Sequence, residues 1–344
     1  MAKSFVYDPS APDVPLRLVT HDAPSMDGNE GQVLVKLLAA PVNRVDLMVL
    51  SGQYPVQPRY CVDEKPVPGF DGCGVVIEST SQRFQKGNLV LPRELGLGTW
   101  RTHAILPDTA LMKLPRDTPP LAGALLRSGA VVAWLLLEHV APLKSGDWII
   151  MSAGTSCVAQ FLVQFARLKG INTILVIRDR ENIDTTRQKL LDLGAAAVIS
   201  ESELAQNAPP VPGKVVLALD CVYGSVGQNL ANVLSPGGKF VLVGMLGGPR
   251  TSITVDTNHL FYKQLSFLPF RSSKFLEEMG DSKVEELFRH ITRLFSDGSI
   301  KLPDLRVISW EQKEQDGLEQ ELRQAVKMAK SDETGYKKTV WLLS

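Results

Sequence analysis

The stretch from Gly146 to Arg180, GDWIIMSAGTSCVAQFLVQFARLKGINTILVIRDR, constrains the fold of this chain more than any other. Trp148, Ile149 and Ile150 form a short apolar run that ends in small polar residues. Val158, Phe161, Leu162, Phe165 and Leu168 then recur at helical spacing as far as Gly170, and Ile174 to Ile177 is a second apolar run. Strand, tight turn, helix and strand within about 30 residues make a βαβ unit. The small residues of its turn, Ala153, Gly154, Thr155, Ser156 and Cys157, with Val158 after them, place backbone N–H groups where a pyrophosphate can bind. Beyond the second run stand Arg178, Asp179 and Arg180. Two guanidiniums hold a 2′-phosphate through charge-assisted hydrogen bonds, so the stretch reads as a dinucleotide site that favours NADPH over NADH.

At 344 residues the chain suits two domains, and an apolar content of 44% is enough to bury both cores. Lys plus Arg equal Asp plus Glu at 37 each, which gives no electrostatic reason to expect nucleic acid or an anionic membrane as partner and leaves a small molecule. Cys61, Cys73, Cys157 and Cys221 lie far apart with no CxxC pair, so neither structural zinc nor a disulfide framework is expected. The opening MAKSFVYDPSAPD has neither a signal-peptide core nor a basic amphipathic pattern; the expectation is a cytoplasmic protein, or a mitochondrial matrix protein with its presequence removed. Leu121 to Val140 is strongly apolar, but Arg127 and Glu138 interrupt it, and it reads as a buried helix.

Short β-prone runs at Val33–Leu38, Gly74–Ser79, Asn88–Leu91 and His103–Leu106, separated by Gly, Pro and Asn, predict a small barrel. After Pro115, Pro119 and Pro120 the pattern turns helical and then alternates strand and helix as far as Val243, which argues a parallel sheet covered on both faces. Val284–Phe295 and Gly317–Ala329 are amphipathic helices and Lys337–Leu343 a last strand. The expected class is α/β, with a β-barrel catalytic domain over residues 1–125, to which 298–344 returns, and a Rossmann doubly wound parallel-sheet cofactor domain over 126–297.

That organisation, together with Asn43-Arg-Val-Asp46, Gly52-Gln-Tyr54-Pro55, Pro68-Gly-Phe-Asp-Gly-Cys-Gly74, Gly96-Leu-Gly-Thr-Trp-Arg-Thr102, Arg178-Asp-Arg180, Leu219-Asp-Cys221 and Pro236-Gly-Gly238, resembles the medium-chain dehydrogenase/reductase superfamily. Within it the chain is similar to the zinc-independent trans-2-enoyl-CoA/acyl-carrier-protein reductases of mitochondria. The resemblance implies a GroES-like barrel and NADPH-dependent reduction of an α,β-unsaturated acyl thioester, with hydride to the β-carbon. It marks Tyr54 as proton donor, and a phenol stays protonated at neutral pH, about three pK units short of ionisation. Tyr60 is the spare candidate. Asn43 and Asp46 match a substrate-loop pair, Trp100 is expected to line the cleft near the cofactor, and Gly244 and Met245 are expected at the cofactor. Where zinc-dependent relatives carry Gly-His-Glu this chain has Gly69-Phe70-Asp71, so no catalytic metal is expected.

The chain also departs from the pattern. Cys157-Val158-Ala159 replaces Gly-Val-Gly at the helix opening, placing a side chain beside the pyrophosphate path. Gly129-Ala130 replaces Asn-Pro, and Arg271 stands where an indole would wall the acyl pocket. Two alternatives stay open: a quinone or alkenal reductase, and a redox-inactive relative with a non-redox or binding role, which these changes favour. A homodimer through the edge of the Rossmann sheet is the one protein partner expected.

Overall fold

The computed structural model describes residues 1–8, 15–181, 183–206, 209, 211–248, 250–311, 314–330 and 336–343. In chain order the first elements are β1 (Ala2–Tyr7), β2 (Leu16–His21), β3 (Gln32–Pro41), α1 (Arg44–Leu50), the short pair β4 (Cys61–Val62) and β5 (Lys65–Pro66), β6 (Cys73–Ser79), β7 (Leu89–Pro92), β8 (His103–Pro107) and β9 (Leu111–Leu114). A long apolar helix follows as α2 (Pro120–Leu125), a π-helical turn over Leu126–Val131, and α3 (Val132–Glu138). It is long and apolar enough to cross a membrane by composition alone, but 72% of its most apolar window is buried in the protein, which is the state of a core helix.

The second half alternates: β10 (Trp148–Met151), α4 (Cys157–Leu168), β11 (Asn172–Ile177), α5 (Ile183–Leu193), β12 (Ala197–Ser200), α6 (Glu201–Gln206), β13 (Val215–Asp220), α7 (Gly224–Val233), β14 (Lys239–Leu242) and β15 (Ser266–Pro269). Then come α8 (Ser272–Met279), α9 (Asp281–Ser296), β16 (Leu305–Ser309), α10 (Gln315–Lys330) and β17 (Lys338–Leu342).

Two compact units result. One comprises 1–128, 281–297 and 304–344, and the other 129–280 and 298–303. The first is built on a seven-stranded sheet in the order β16-β17-β3-β6-β7-β9, with β8 also paired to β3. Its core gathers Phe5, Leu37, Leu97, Trp100, Trp310 and Trp341. The second is a six-stranded parallel sheet in the order β12-β11-β10-β13-β14-β15, over a core of Ile150, Ile174, Val176, Leu230 and Phe240. The crossovers from β10 to β14 run through α4, α5, α6 and α7, and the one from β14 to β15 includes a π-helical turn at Asn258–Tyr262.

The boundaries differ from those expected. The first unit ends at Ser128 rather than at 125, and α9, expected in the Rossmann domain, belongs with the barrel. The reason is specific contact. Asp281 at the start of α9 pairs with Arg83 and Arg93 at 3.1 and 2.7 Å, and Thr292 meets Thr118 at 3.3 Å. Residues 298–303, expected with the returning tail, stay with the parallel sheet because Gln164 of α4 bonds the backbone of Lys301 at both N–H and C=O. The β1–β2 hairpin, α1, β15 and α8 had no counterpart in the pattern of the sequence.

Candidate active site

The loop expected to meet the nucleotide lies where the parallel sheet turns into its first helix. Gly154 sits so close to β11 that a Cβ there would meet Leu175 Cβ at 2.8 Å and Val176 O at 3.1 Å, and its N–H donates to Val176 O at 2.8 Å. The loop is thereby pressed against the strand end. Ala153, just before it, is held at φ 51°, in the left-handed region that costs a residue with a Cβ roughly 1–2 kcal/mol. Ser156 caps α4, its Oγ accepting from the Ala159 N–H at 3.2 Å, and Gln160 N–H donates to the Ser156 carbonyl at 3.0 Å to begin the helical ladder.

Behind the loop a buried carboxylate ties strand ends together. Asp220 at the end of β13 accepts from Ser152 Oγ (2.7 Å) and from the N–H groups of Val222 (2.9 Å) and Tyr223 (3.0 Å), and Ser152 Oγ accepts from Cys221 N–H at 2.8 Å. Gly227 must lack a side chain, because a Cβ would lie 2.3 Å from Asp220 Oδ2. The Asp220 carbonyl accepts from Gly244 N–H at 3.1 Å, which sets Gly244 and the half-exposed Met245 beside this strand end.

The Cys157 side chain is not left in the phosphate path. A Cβ on Gly129 would lie 3.1 Å from Cys157 Sγ and 3.0 Å from Phe161 Cε2. The two departures are therefore one: glycine at 129 makes room for a thiol at 157. Burial pushes the other sheltered thiols, Cys73 and Cys221, up to about 12, so neither is a nucleophile at neutral pH. At the end of β11, Arg178 and Asp179 are exposed and Arg180 is half-buried. Burial and the Arg178 charge hold the Arg180 guanidinium below its usual range.

The remaining candidate residues belong to the barrel unit. Tyr54 is half-buried, with its ring edge-on to Phe70 at 6.0 Å, and its carbonyl accepts from Gln57 Nε2 at 2.7 Å. Phe70 in turn is fixed by Asp46 of α1, whose Oδ1 accepts the Phe70 N–H at 3.0 Å and whose Oδ2 accepts the Asn43 N–H at 2.7 Å. The Asn43 amide reaches outward from the start of α1. Its Nδ2 donates to Asp71 Oδ2 (2.8 Å) and Ser128 Oγ (3.2 Å), and its Oδ1 accepts from Lys338 Nζ at 2.6 Å. Asp71 is held by Arg127 at 2.7 Å, a pair with side chains only 5% and 11% exposed. Arg127 also donates to the carbonyls of Arg93 and Phe70, both at 3.1 Å. A buried pair with its remaining groups satisfied in this way is costly to break from one side, by about 3–5 kcal/mol.

The structure thus brings Asn43 and Asp46 into one network with Phe70 and the Tyr54 ring. It takes Trp100 elsewhere: this indole has no exposed surface, donates to Pro41 O at 3.2 Å and packs on Phe5 and Trp341, so it is a post of the barrel core rather than a cleft wall. Tyr60 is engaged under the Arg101 guanidinium at 4.9 Å. Arg271 is exposed and precedes α8, its carbonyl accepting from Lys274 and Phe275 N–H. Sequence reasoning assigned nothing to Arg127, Lys338 or Ser152; Asp71 and Asp220 stood inside quoted motifs without a role. Among the described residues no three His, Cys, Asp or Glu side chains converge as metal ligands, and Asp71 is already engaged by Arg127 and Asn43.

Residues 29–116 match the alcohol dehydrogenase GroES-like domain, and residues 157–291 match the family described as zinc-binding dehydrogenase. The mitochondrial enoyl-[acyl-carrier-protein] reductase of Arabidopsis thaliana is 33% identical over 310 residues, which are 87% of this chain and 80% of that protein. The structure of Etr1p with NADP and crotonyl-CoA superposes with a TM-score of 0.84 at 25% identity, covering 99% of each chain. The Etr1p/Etr2p heterodimer of the mitochondrial 2-enoyl thioester reductase from Candida tropicalis gives 0.83 at 25% identity, again over 99% of each chain.

The Asp46 carboxyl is pushed up to about 7 by burial, with the Asp71 charge adding to it; the two N–H donors and Lys338 oppose this and do not prevail. A carboxyl whose value in the fold lies above its unfolded value binds its proton more tightly in the fold. Its contribution to stability is therefore complete below about pH 4 and is lost as the pH rises to about 7. Denaturant unfolding of wild type and Asp46→Asn across this window is expected to show the wild type losing ground to the variant by on the order of 4 kcal/mol as pH rises. Parallel profiles would refute the assignment.

Proposed function

The chain belongs to the family of the mitochondrial enoyl-[acyl-carrier-protein] reductases within the medium-chain dehydrogenase/reductase superfamily, and on that premise we propose that it uses NADPH to saturate the double bond of an α,β-unsaturated acyl thioester. The observation that carries this reading is the pair Arg178 and Arg180 just beyond β11, next to a glycine-pinned loop that opens α4. The residues present fit the cofactor: the α4 N-terminus suits a pyrophosphate, Cys157 is drawn toward Gly129, and the two guanidiniums suit a 2′-phosphate. NADPH when bound supplies hydride for the β-carbon.

The chain's own part is to hold the nucleotide and to deliver a proton. Ala153 to Val158 orient the phosphates, and Gly244 and Met245 flank the same strand ends. Tyr54 Oη protonates the α-carbon, directly or through a water it orients. Asp46 and Asn43 keep that loop in register through Phe70, whose ring meets the Tyr54 ring edge-on. Arg271, cationic and exposed, favours the polar end of a thioester carrier over a long acyl tail.

The same parallel unit carries a self-association surface. β15 is an edge strand, and Leu260, Phe261 and Tyr262 just before it are 57%, 72% and 72% exposed. A homodimer covers this patch.

Three measurements test this reading. Fluorescence titration is expected to show NADPH binding tighter than NADH, with Arg178→Ala/Arg180→Ala weakening NADPH on the order of 100-fold and NADH little; a double variant that binds both as wild type does contradicts the clamp. With crotonyl-CoA as substrate, Tyr54→Phe is expected to lower kcat about 100-fold with KM nearly unchanged. A variant as fast as wild type would favour the quinone or alkenal reductase reading, in which no such donor is needed. The solution mass is expected to be that of a dimer and to fall to a monomer in Phe261→Asp/Tyr262→Asp, whereas a monomeric wild type excludes the assembly.

A further inference from the structure

The strand end used by the proposed function carries an acid as well as two bases. Asp179 lies between Arg178 and Arg180. A carboxylate at the end of the second strand of a Rossmann unit favours the ribose diol of NAD and repels a 2′-phosphate. In this chain that carboxylate is turned away. Its Oδ1 accepts from Ser202 Oγ at 2.5 Å and its Oδ2 from Ser202 N–H at 3.1 Å, in the first turn of α6. The Ser202 hydroxyl, first among these contacts, holds the Asp179 carboxyl below the usual carboxylate range and keeps it charged.

This contact is not what starts α6. Ser200 and Glu203 already cap that helix reciprocally, the Ser200 N–H donating to the Glu203 carboxylate at 2.6 Å and the Glu203 N–H to Ser200 Oγ at 3.1 Å. Ser200 Oγ also lies 2.9 Å from Ser202 Oγ, so the hydroxyl that grips Asp179 is itself oriented. Nor is the surroundings' charge balance indifferent to Asp179: half-buried Glu201 already lies within electrostatic reach of both arginines. The Asp179 charge is already felt by Glu201, so releasing its carboxylate from Ser202 would redistribute charge within that cluster rather than bring a new one to it.

We propose that Ser202 determines nucleotide specificity: by pinning the Asp179 carboxylate to the start of α6, it reserves the ribose edge for Arg178 and Arg180 and selects NADPH over NADH. Ser202 acts through Asp179 and is a positioning residue. The inference rests on the reading of the two arginines as a 2′-phosphate clamp.

The test is equilibrium titration of the intact protein with NADPH and with NADH, for wild type, Ser202→Ala, Ser202→Thr, Asp179→Asn and Ser202→Ala/Asp179→Asn. Ser202→Ala is expected to lower the preference for NADPH about tenfold. Ser202→Thr, which keeps the hydroxyl, and Asp179→Asn, which removes the charge, are expected to retain the wild-type preference, and the double variant to regain it. An unchanged preference in Ser202→Ala overturns the proposal. So does a loss that Asp179→Asn fails to repair, since that is the mark of a local packing role. A wild type without preference for NADPH removes the arginine clamp and this inference together, an outcome distinct from the other two.

Discussion

Everything proposed for the nucleotide half depends on one close approach, that of the Gly154 backbone to β11. With Leu175 Cβ only 2.8 Å from where a side chain would begin, position 154 admits glycine alone, and the chain turns from strand to helix against the neighbouring strand rather than out into solvent. Ala153 takes the strained conformation that this turn demands, and Ser152 and Asp220 brace it from below. The helix N-terminus and the end of β11 are consequently held in fixed relation. That rigidity is what the proposed function asks of a loop without the usual glycine pattern.

The barrel unit solves a different problem, that of fixing a phenol on a turn-rich loop. It does so through a buried polar chain: Arg127 holds Asp71, Asp71 receives Asn43, Asn43 meets Lys338, and Asp46 bridges α1 to Phe70, on whose ring Tyr54 rests. Each member satisfies the next, and such networks are stable only when complete. The Arg127–Asp71 pair and Lys338 are thereby engaged with one another, while the Asp46 carboxyl is raised to about 7 by burial.

Much of this was legible in the sequence because it is local. The βαβ unit follows from periodicity over a short window, with Gly170 closing its helix and the arginines standing at the end of its second strand, and the resemblance in Asn43–Asp46 and Gly52–Pro55 singled out residues that the structure gathers around Phe70. What was hidden is non-local. Asp179 meets Ser202 across a strand and a helix, Gly129 makes room for Cys157 from an earlier helix, and Arg127 reaches Asp71 from far along the chain. α9 buries Val284, Leu287, Phe288 and Ile291 and packs on β9, with Asp281 paired to Arg83 and Arg93, and the period of the helix does not say which sheet its apolar face meets. Trp100 shows the same limit from the other side: a tryptophan within a specific motif invites a role in a cleft, and only the packing of Phe5 and Trp341 around it shows that it is core.

The most direct test of the central claim follows the atoms. With crotonyl-CoA and NADPH deuterated at the transferable position, the account predicts a saturated acyl thioester carrying deuterium on its β-carbon, and, in heavy water with unlabelled NADPH, deuterium on its α-carbon. No saturated product, or nucleotide-derived deuterium on the α-carbon, would contradict it.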